Sequence, residues 1–245
     1  MLAIVGGSGL AQLSTLTDTR HIAVRTAFGE PSGPLTLGRI GGSEVIFLAR
    51  HGDAHSIPPH QVNYRANIQA LKDAGAKQIA AIATVGGIRS EFGPGVLVLP
   101  HQIIDYTWGR ASTFFESPGA QVTHIDFTEP YSAPLRARIR AAAMACGEPI
   151  ADGGVYAVTQ GPRLETAAEI ARLERDGADL VGMTGMPEAA LAREAGLEYA
   201  AIAVVANHAA GKGDSARAIS LPAIEAVLRQ AMQRVLRILE RLAAA

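Results

Sequence analysis

Two groups of side chains stand out by type and spacing. The first suits an oxyanion. Gly6-Gly7-Ser8-Gly9 follows the apolar run Leu2 to Val5. Glycines there let backbone N–H groups close on an anion, and a serine hydroxyl adds a donor. Arg50-His51-Gly52 follows the run Glu44 to Ala49, and a guanidinium fork matches a pair of phosphate oxygens. Thr84 precedes Gly86-Gly87, and Thr184 stands in Gly182-Met183-Thr184-Gly185. With His51, these read as donors. The second group suits a heterocycle: Glu165 supplies an acceptor and Asn207 an amide. Together they are the chemistry of a phosphate beside a ring.

No one of these motifs is specific alone. Gly7-Ser-Gly9 opens a dinucleotide fingerprint, but its third glycine position is Gln12, and the Gly-Lys-Ser/Thr of a Walker A loop is absent. Thr84-Val85-Gly86-Gly87 is equally a strand end with a turn. Glu165 could serve only the dipole of a helix starting beside it. His51, His55 and His60 are close in sequence, yet Pro58 and Pro59 break the segment, so no H-x-x-x-H falls on a helix. No metal is expected.

Such groups need a scaffold that brings them to one edge. Apolar runs over Leu2 to Val5, Glu44 to Ala49, Gln78 to Val85, Val96 to Leu99, Val155 to Thr159, Leu180 to Val181 and Tyr199 to Val205 read as strands. Several are too uniformly apolar to keep one face wet, which predicts a sheet covered on both sides. Helical patterns over 63–75, 131–147, 166–177 and 186–196 each end at a glycine. Thr166-Ala-Ala-Glu169 is a capping box. A final helix over 221–242 carries an apolar stripe from Ile224 to Leu242. The expectation is a single α/β domain over residues 1–245, with the site at strand carboxyl ends.

Bulk properties narrow the function. A net charge of −1 leaves no basic excess for nucleic acid or anionic lipid. Any phosphate must therefore be held by local geometry. The one cysteine, Cys146, excludes an intramolecular disulfide and reads as a small buried hydrophobe in a helix. No stretch is long and apolar enough to cross a membrane, and the expected location is the cytoplasm.

Taken in order, the motifs resemble the trimeric purine nucleoside phosphorylase superfamily, specifically its methylthioadenosine phosphorylase branch. The carriers are Gly6 to Leu10, Arg50-His51-Gly52, Pro59 to Leu71, Ala83-Thr84 to Gly87, Gly161-Pro162-Arg163, Ala168-Glu169 and Val181 to Thr184. They span nearly the whole chain. The resemblance implies a central mixed, twisted β-sheet flanked by helices and a homotrimer. It implies phosphorolysis of a nucleoside, with inorganic phosphate as co-substrate and no cofactor. Ser8, Arg50, His51, Thr84 and Thr184 would bind phosphate. Met183 and Gly86 would line the nucleoside site, Met183 packing on the ribose, while Glu165 and Asn207 read the base.

Two departures point to the substrate. Methylthioadenosine phosphorylases carry a small serine where this chain has Glu165, and an Asp-x-Asp pair where it has Asn207-His208-Ala209. A carboxylate accepts the N1–H of a 6-oxopurine and an amide donates to its O6, whereas adenine reverses both edges. Where 6-oxopurine phosphorylases place a histidine near the 5′-hydroxyl, the matching residue here is Leu221. An oxopurine reader with an apolar 5′ pocket describes S-methyl-5′-thioinosine. Methylthioadenosine, or inosine and guanosine in general, are the alternatives. A non-catalytic purine or phosphate sensor of the same fold is another, and a nicotinamide-dependent oxidoreductase would rest on Gly7-Ser-Gly9 alone.

Overall fold

The computed structural model describes residues 1–10, 13–116, 119 and 121–244. Gln12, weighed above against a dinucleotide fingerprint, lies outside them. The elements in chain order are β1 (Leu2–Gly6), β2 (Thr17–Ile22), β3 (Leu35–Ile40), β4 (Ser43–Ala49), α1 (Tyr64–Asp73), β5 (Gln78–Gly87), β6 (Leu97–Leu99) and β7 (Gln102–Asp105). There follow α2 (Ala133–Ala145), β8 (Ala151–Asp152), β9 (Val155–Val158), α3 (Ala167–Arg175), β10 (Leu180–Gly182), α4 (Gly185–Glu194), β11 (Glu198–His208) and α5 (Leu221–Ala243). The strands form one mixed sheet.

Burial alternates along the central strands and fills two cores. Ala3, Val5, Ile79, Ala81, Ala201 and Ala203 face α1 and α4, where they meet Ile68, Leu71 and Leu191. Their neighbours Leu2, Ile4, Ala80, Ile82, Ala200 and Ile202 face α2 and α5, against Leu135, Ile139, Val235 and Leu239. Period-two side-chain direction thus turns uniformly apolar runs into a sheet with two dry faces. Alanines on these strands leave room for the helices to approach.

The topology opens a gap at the middle of the sheet. β4, β1, β5 and β11 run parallel, so their carboxyl ends share one edge. β1 pairs with the first half of β5, from Leu2↔Gln78 to Val5↔Ala81. On the same side of β5, β10 pairs antiparallel with its tail, Val181 opposite Gly86 and Leu180 opposite Gly87. β1 and β10 therefore point their carboxyl ends at each other, leaving the stretch Ile82 to Val85 without a strand on that side. Ser8 emerges from one side of this gap and Met183-Thr184 from the other. β9 pairs parallel with β10 and delivers residues 159–165 beside it.

Differences from the sequence reading are local. The ends of α1, α2 and α3 lie a residue or two inside the sequence reading where capping residues take over, as at Ser132, whose Oγ accepts from Leu135 N. β2, β3, β7 and β8 carry no continuous apolar run and were not foreseen. β2 is an edge strand of exposed polar residues, a composition that blunts edge pairing. Cys146 caps α2, is half-buried and donates its Sγ–H to Arg237 O at 3.3 Å. It is not a core residue, because α2 ends there. No helix among the described residues is long and apolar enough to cross a membrane.

Leu239 on α5 is fully buried. Leu239→Ala should cost about 2–5 kcal/mol in urea unfolding, while Gln233→Ala on the exposed face should stay within about 0.5 kcal/mol.

Candidate active site

Around the gap lies a cavity of about 540 Å³, a size suited to a small ligand. Gly7, Ser8, Arg50, His51, Thr84, Gly86, Glu165, Met183, Thr184 and Asn207 all line it. The structure thus gathers nearly every residue the sequence singled out.

Arg50 is the most constrained. It is 1% exposed. Nε and Nη2 donate to the two carboxylate oxygens of Glu188 at 2.6 and 2.8 Å, and Nη1 donates to Ile82 O at 2.9 Å. That carbonyl faces the gap, where a buried acceptor needs a partner. Burial opposes a charge on Arg50, but the Glu188 carboxylate outweighs it and holds the guanidinium charged, above its ordinary pKa. Tyr199 donates its hydroxyl to Glu188 Oε1 at 2.8 Å. Gly7 has to be glycine here: a Cβ would sit 2.6 Å from Ile82 O and 3.0 Å from Arg50 Nη1.

His51 differs from the donor expected of it. Its Nδ1 lies 2.8 Å from Ile57 O, a carbonyl that can only accept, so Nδ1 carries the proton and Nε2 a lone pair. Burial, then the adjacent Arg50 charge, lowers its pKa from 6.5 to about 4. The neutral ring therefore offers an acceptor. His55 packs against it, ring centroids 4.8 Å apart, and its Nε2 is 3.3 Å from Ser8 Oγ. Thr84 Oγ1 donates to Ser8 O at 3.2 Å. Thr184, 9% exposed, precedes α4 without using its side chain as a cap.

The other end of the cavity carries the acceptor and the amide. Thr166 and Glu169 complete the capping box of α3, which relieves Glu165 of that task. Glu165 Oε1 accepts from Thr159 Oγ1 at 2.6 Å, leaving Oε2 for a ligand. Asn207 sits just past a β-bulge in β11, where pairing passes from Val205↔Val85 to Asn207↔Gly86. The extra residue Ala206 shifts the alternation, the kind of device that re-aims a side chain. Asn207 Nδ2 donates to His208 O at 2.6 Å, keeping one Nδ2 hydrogen and Oδ1 free.

The apolar end is built by residues other than the one expected. Leu221 opens α5 at 64% exposure and is not among the lining residues. Ile219, Ile224 and Leu228 line the cavity instead, with Ile57, Pro58 and Pro59. Leu221 shares a helix face with Ile224 and Leu228, three and seven residues on, but it stands at the exposed first position of α5, one turn beyond the lining. Among the described residues, no cluster of three His, Cys, Asp or Glu side chains is placed to hold a metal.

The family profile described as the phosphorylase superfamily matches residues 1–244. The chain belongs to this superfamily. Two relatives carry the name probable S-methyl-5′-thioinosine phosphorylase. The one from Xanthomonas campestris pv. campestris is 58% identical over 214 residues, 87% of this chain and 86% of its own. That from Pseudomonas syringae pv. tomato is 56% identical over 243 residues, 99% of this chain and 98% of its own. Among solved structures, the methylthioadenosine phosphorylase of Schistosoma mansoni in complex with adenine superposes with a TM-score of 0.94. It is 33% identical, covering 99% of this chain and 90% of its own. The superfamily fold is thus shared at both levels.

Glu188→Gln should cost about 3–5 kcal/mol in urea unfolding, since it leaves Arg50 buried without its counter-charge. For His51 the folded pKa is the lower one, so the unfolded chain binds the extra proton between pH 6.5 and about 4. Its contribution is complete above pH 6.5 and is lost as pH falls through that window. His51→Gln should flatten this part of the curve when urea midpoints are compared at pH 4.5 and 7.

Proposed function

We propose that the protein cleaves S-methyl-5′-thioinosine with inorganic phosphate, releasing hypoxanthine and 5-methylthioribose 1-phosphate. The observation that carries this is the layout of one cavity: oxyanion groups around the gap, Glu165 and Asn207 at one end, Ile219, Ile224 and Leu228 at the other. The names of the two bacterial relatives support it. The reading includes inorganic phosphate as co-substrate with no further cofactor, and a homotrimer working in the cytoplasm. Trp108 and Val122, 72% and 75% exposed, are apolar surface that a neighbouring copy would cover.

In this reading Ser8, Thr84, Thr184 and the remaining Arg50 N–H groups hold the phosphate. His51 Nε2 accepts a hydrogen bond from the P–OH of hydrogen phosphate, which keeps its proton, and so orients the anion without acting as a base. Because Glu188 already balances Arg50, selectivity rests on placed donors and not on excess charge. Phosphate is the nucleophile, so no serine or cysteine needs activation. One phosphate oxygen bonds to C1′ as the C1′–N9 bond breaks, and its electron pair passes into the purine. Asn207 donates its free Nδ2 hydrogen toward O6, where charge accumulates, and Glu165 Oε2 accepts N1–H. Donors fixed before the reaction stabilise that charge without reorganising. Met183 packs on the ribose, and Gly86 leaves the adjoining wall open. The thiomethyl group enters the apolar end.

Steady-state phosphorolysis of methylthioinosine, methylthioadenosine, inosine and adenosine tests the reading. Methylthioinosine should give the highest kcat/KM. A preference for methylthioadenosine would defeat the base-site assignment, and one for inosine the apolar-pocket assignment. Asn207→Asp should move the ratio of 6-amino to 6-oxo substrates upward about 5- to 150-fold, the equivalent of about 1–3 kcal/mol per mismatched group. Light scattering checks the trimer.

A further inference from the structure

One guanidinium outside the cavity holds three of its walls together. Arg110 follows Gly109 in the loop after β7 and is half-buried. Its Nη1 donates to Met183 O at 2.9 Å and Met186 O at 2.6 Å, in the segment that carries Met183 and Thr184. Its Nη2 donates to Gln160 O at 2.8 Å and Thr159 O at 3.3 Å, and Nε to Gln160 Oε1 at 3.2 Å. Those atoms begin the segment that ends at Glu165. Nη1 also reaches Tyr64 Oη at 3.3 Å, and Tyr64 donates to Pro59 O at 3.0 Å, tying in the Pro58-Pro59 wall. The guanidinium carbon lies 5.5 Å from the centre of the Tyr64 ring. Among the described residues Arg110 has no carboxylate partner within salt-bridge distance.

The contacts converge where two segments have no strand pairing with each other. Beyond Gly182 and Val158 the ladder of β10 and β9 has ended. Gly161 then lies so close to Met183 that a Cβ would sit 2.5 Å from its sulfur. A planar cation with a fan of N–H groups can bridge several carbonyls at fixed angles, which a lysine ammonium cannot.

We propose that Arg110 is a positioning residue: it sets the base-reading segment 159–165 and the sugar- and phosphate-facing segment 183–186 at one fixed separation. The reacting atoms are thereby held in line, although Arg110 touches none of them. This rests on the phosphorolysis reading for its kinetic consequence, but its mechanical content does not. Misplacement by about 1 Å can cost on the order of 100-fold in rate.

The experiment uses the full chain with Arg110→Ala and Arg110→Lys, read by hydrogen exchange and by kinetics. Exchange should quicken in both segments together in each variant, by about tenfold or more, while β1, β5 and β11 keep their protection. Quickening in only one segment, or across the whole sheet, would overturn the proposal whether or not any nucleoside is turned over. In the kinetic arm, kcat should fall about 100-fold in Arg110→Ala, with the KM for phosphate changed less than threefold. Millimolar guanidinium should restore at least tenfold of the loss in Arg110→Ala and nothing in Arg110→Lys. A folded Arg110→Ala protein with kcat within twofold of wild type would overturn it, as would an equal loss that guanidinium leaves untouched. If no nucleoside is cleaved by the wild type, the functional reading fails, and the exchange result still decides the role of Arg110.

Discussion

The site depends on how the unpaired middle of β5 is satisfied. β1 and β10 approach that strand from opposite ends and stop short of each other, so the carbonyl of Ile82 faces a space with no neighbouring strand. A buried carbonyl left alone is costly. Arg50 fills the place, and burying a guanidinium requires a counter-charge. Glu188 on α4 supplies it, held in turn by Tyr199 on β11. One ion pair thus joins a strand end, a helix and the opposite strand around the hole they leave. That hole is the cavity.

From this arrangement the electrostatics follow. With Arg50 balanced and His51 held neutral, the end proposed to hold phosphate has hydroxyls, backbone and residual N–H groups, and little net charge. That agrees with the overall charge of −1. Such a site discriminates by hydrogen-bond placement, which acts only at contact distance, and owes little to long-range attraction.

Much of this was legible in the sequence, and the reasons are specific. The central strands are apolar on both faces, so Gly7, Arg50, Thr84, Met183 and Asn207 could be recognised as residues that follow or end such runs. β2 left no such trace, because an exposed edge needs no apolar run. Glu188 looked like an ordinary acidic residue in a first helical turn; only the fold reveals that it meets a residue 138 positions away. Arg110 lies in a loop with no periodicity, and its acceptors are carbonyls, which every residue carries. Leu221 lies on the same side of α5 as Ile224 and Leu228, but alignment does not reveal that the cavity wall begins one turn further along the helix. His51 lines the cavity, but its hydrogen-bonding sense is not legible in sequence, since its tautomer is set by Ile57 O and not by its own identity.

The irregularity at Ala206 has a wider consequence. Upstream of it, every residue from Glu198 to Val205 stays in register with β5. Downstream, Asn207 and His208 pair with Gly86 and Gly87 in a register shifted by one residue, so the direction of the Asn207 side chain is set by the bulge and not by the regular ladder. In the proposed reading, where Asn207 meets the base, recognition of the leaving group can be altered by substitution at this bulge without changing the residues assigned to the phosphate. A single framework can in this way serve nucleosides that differ only at the sixth ring position.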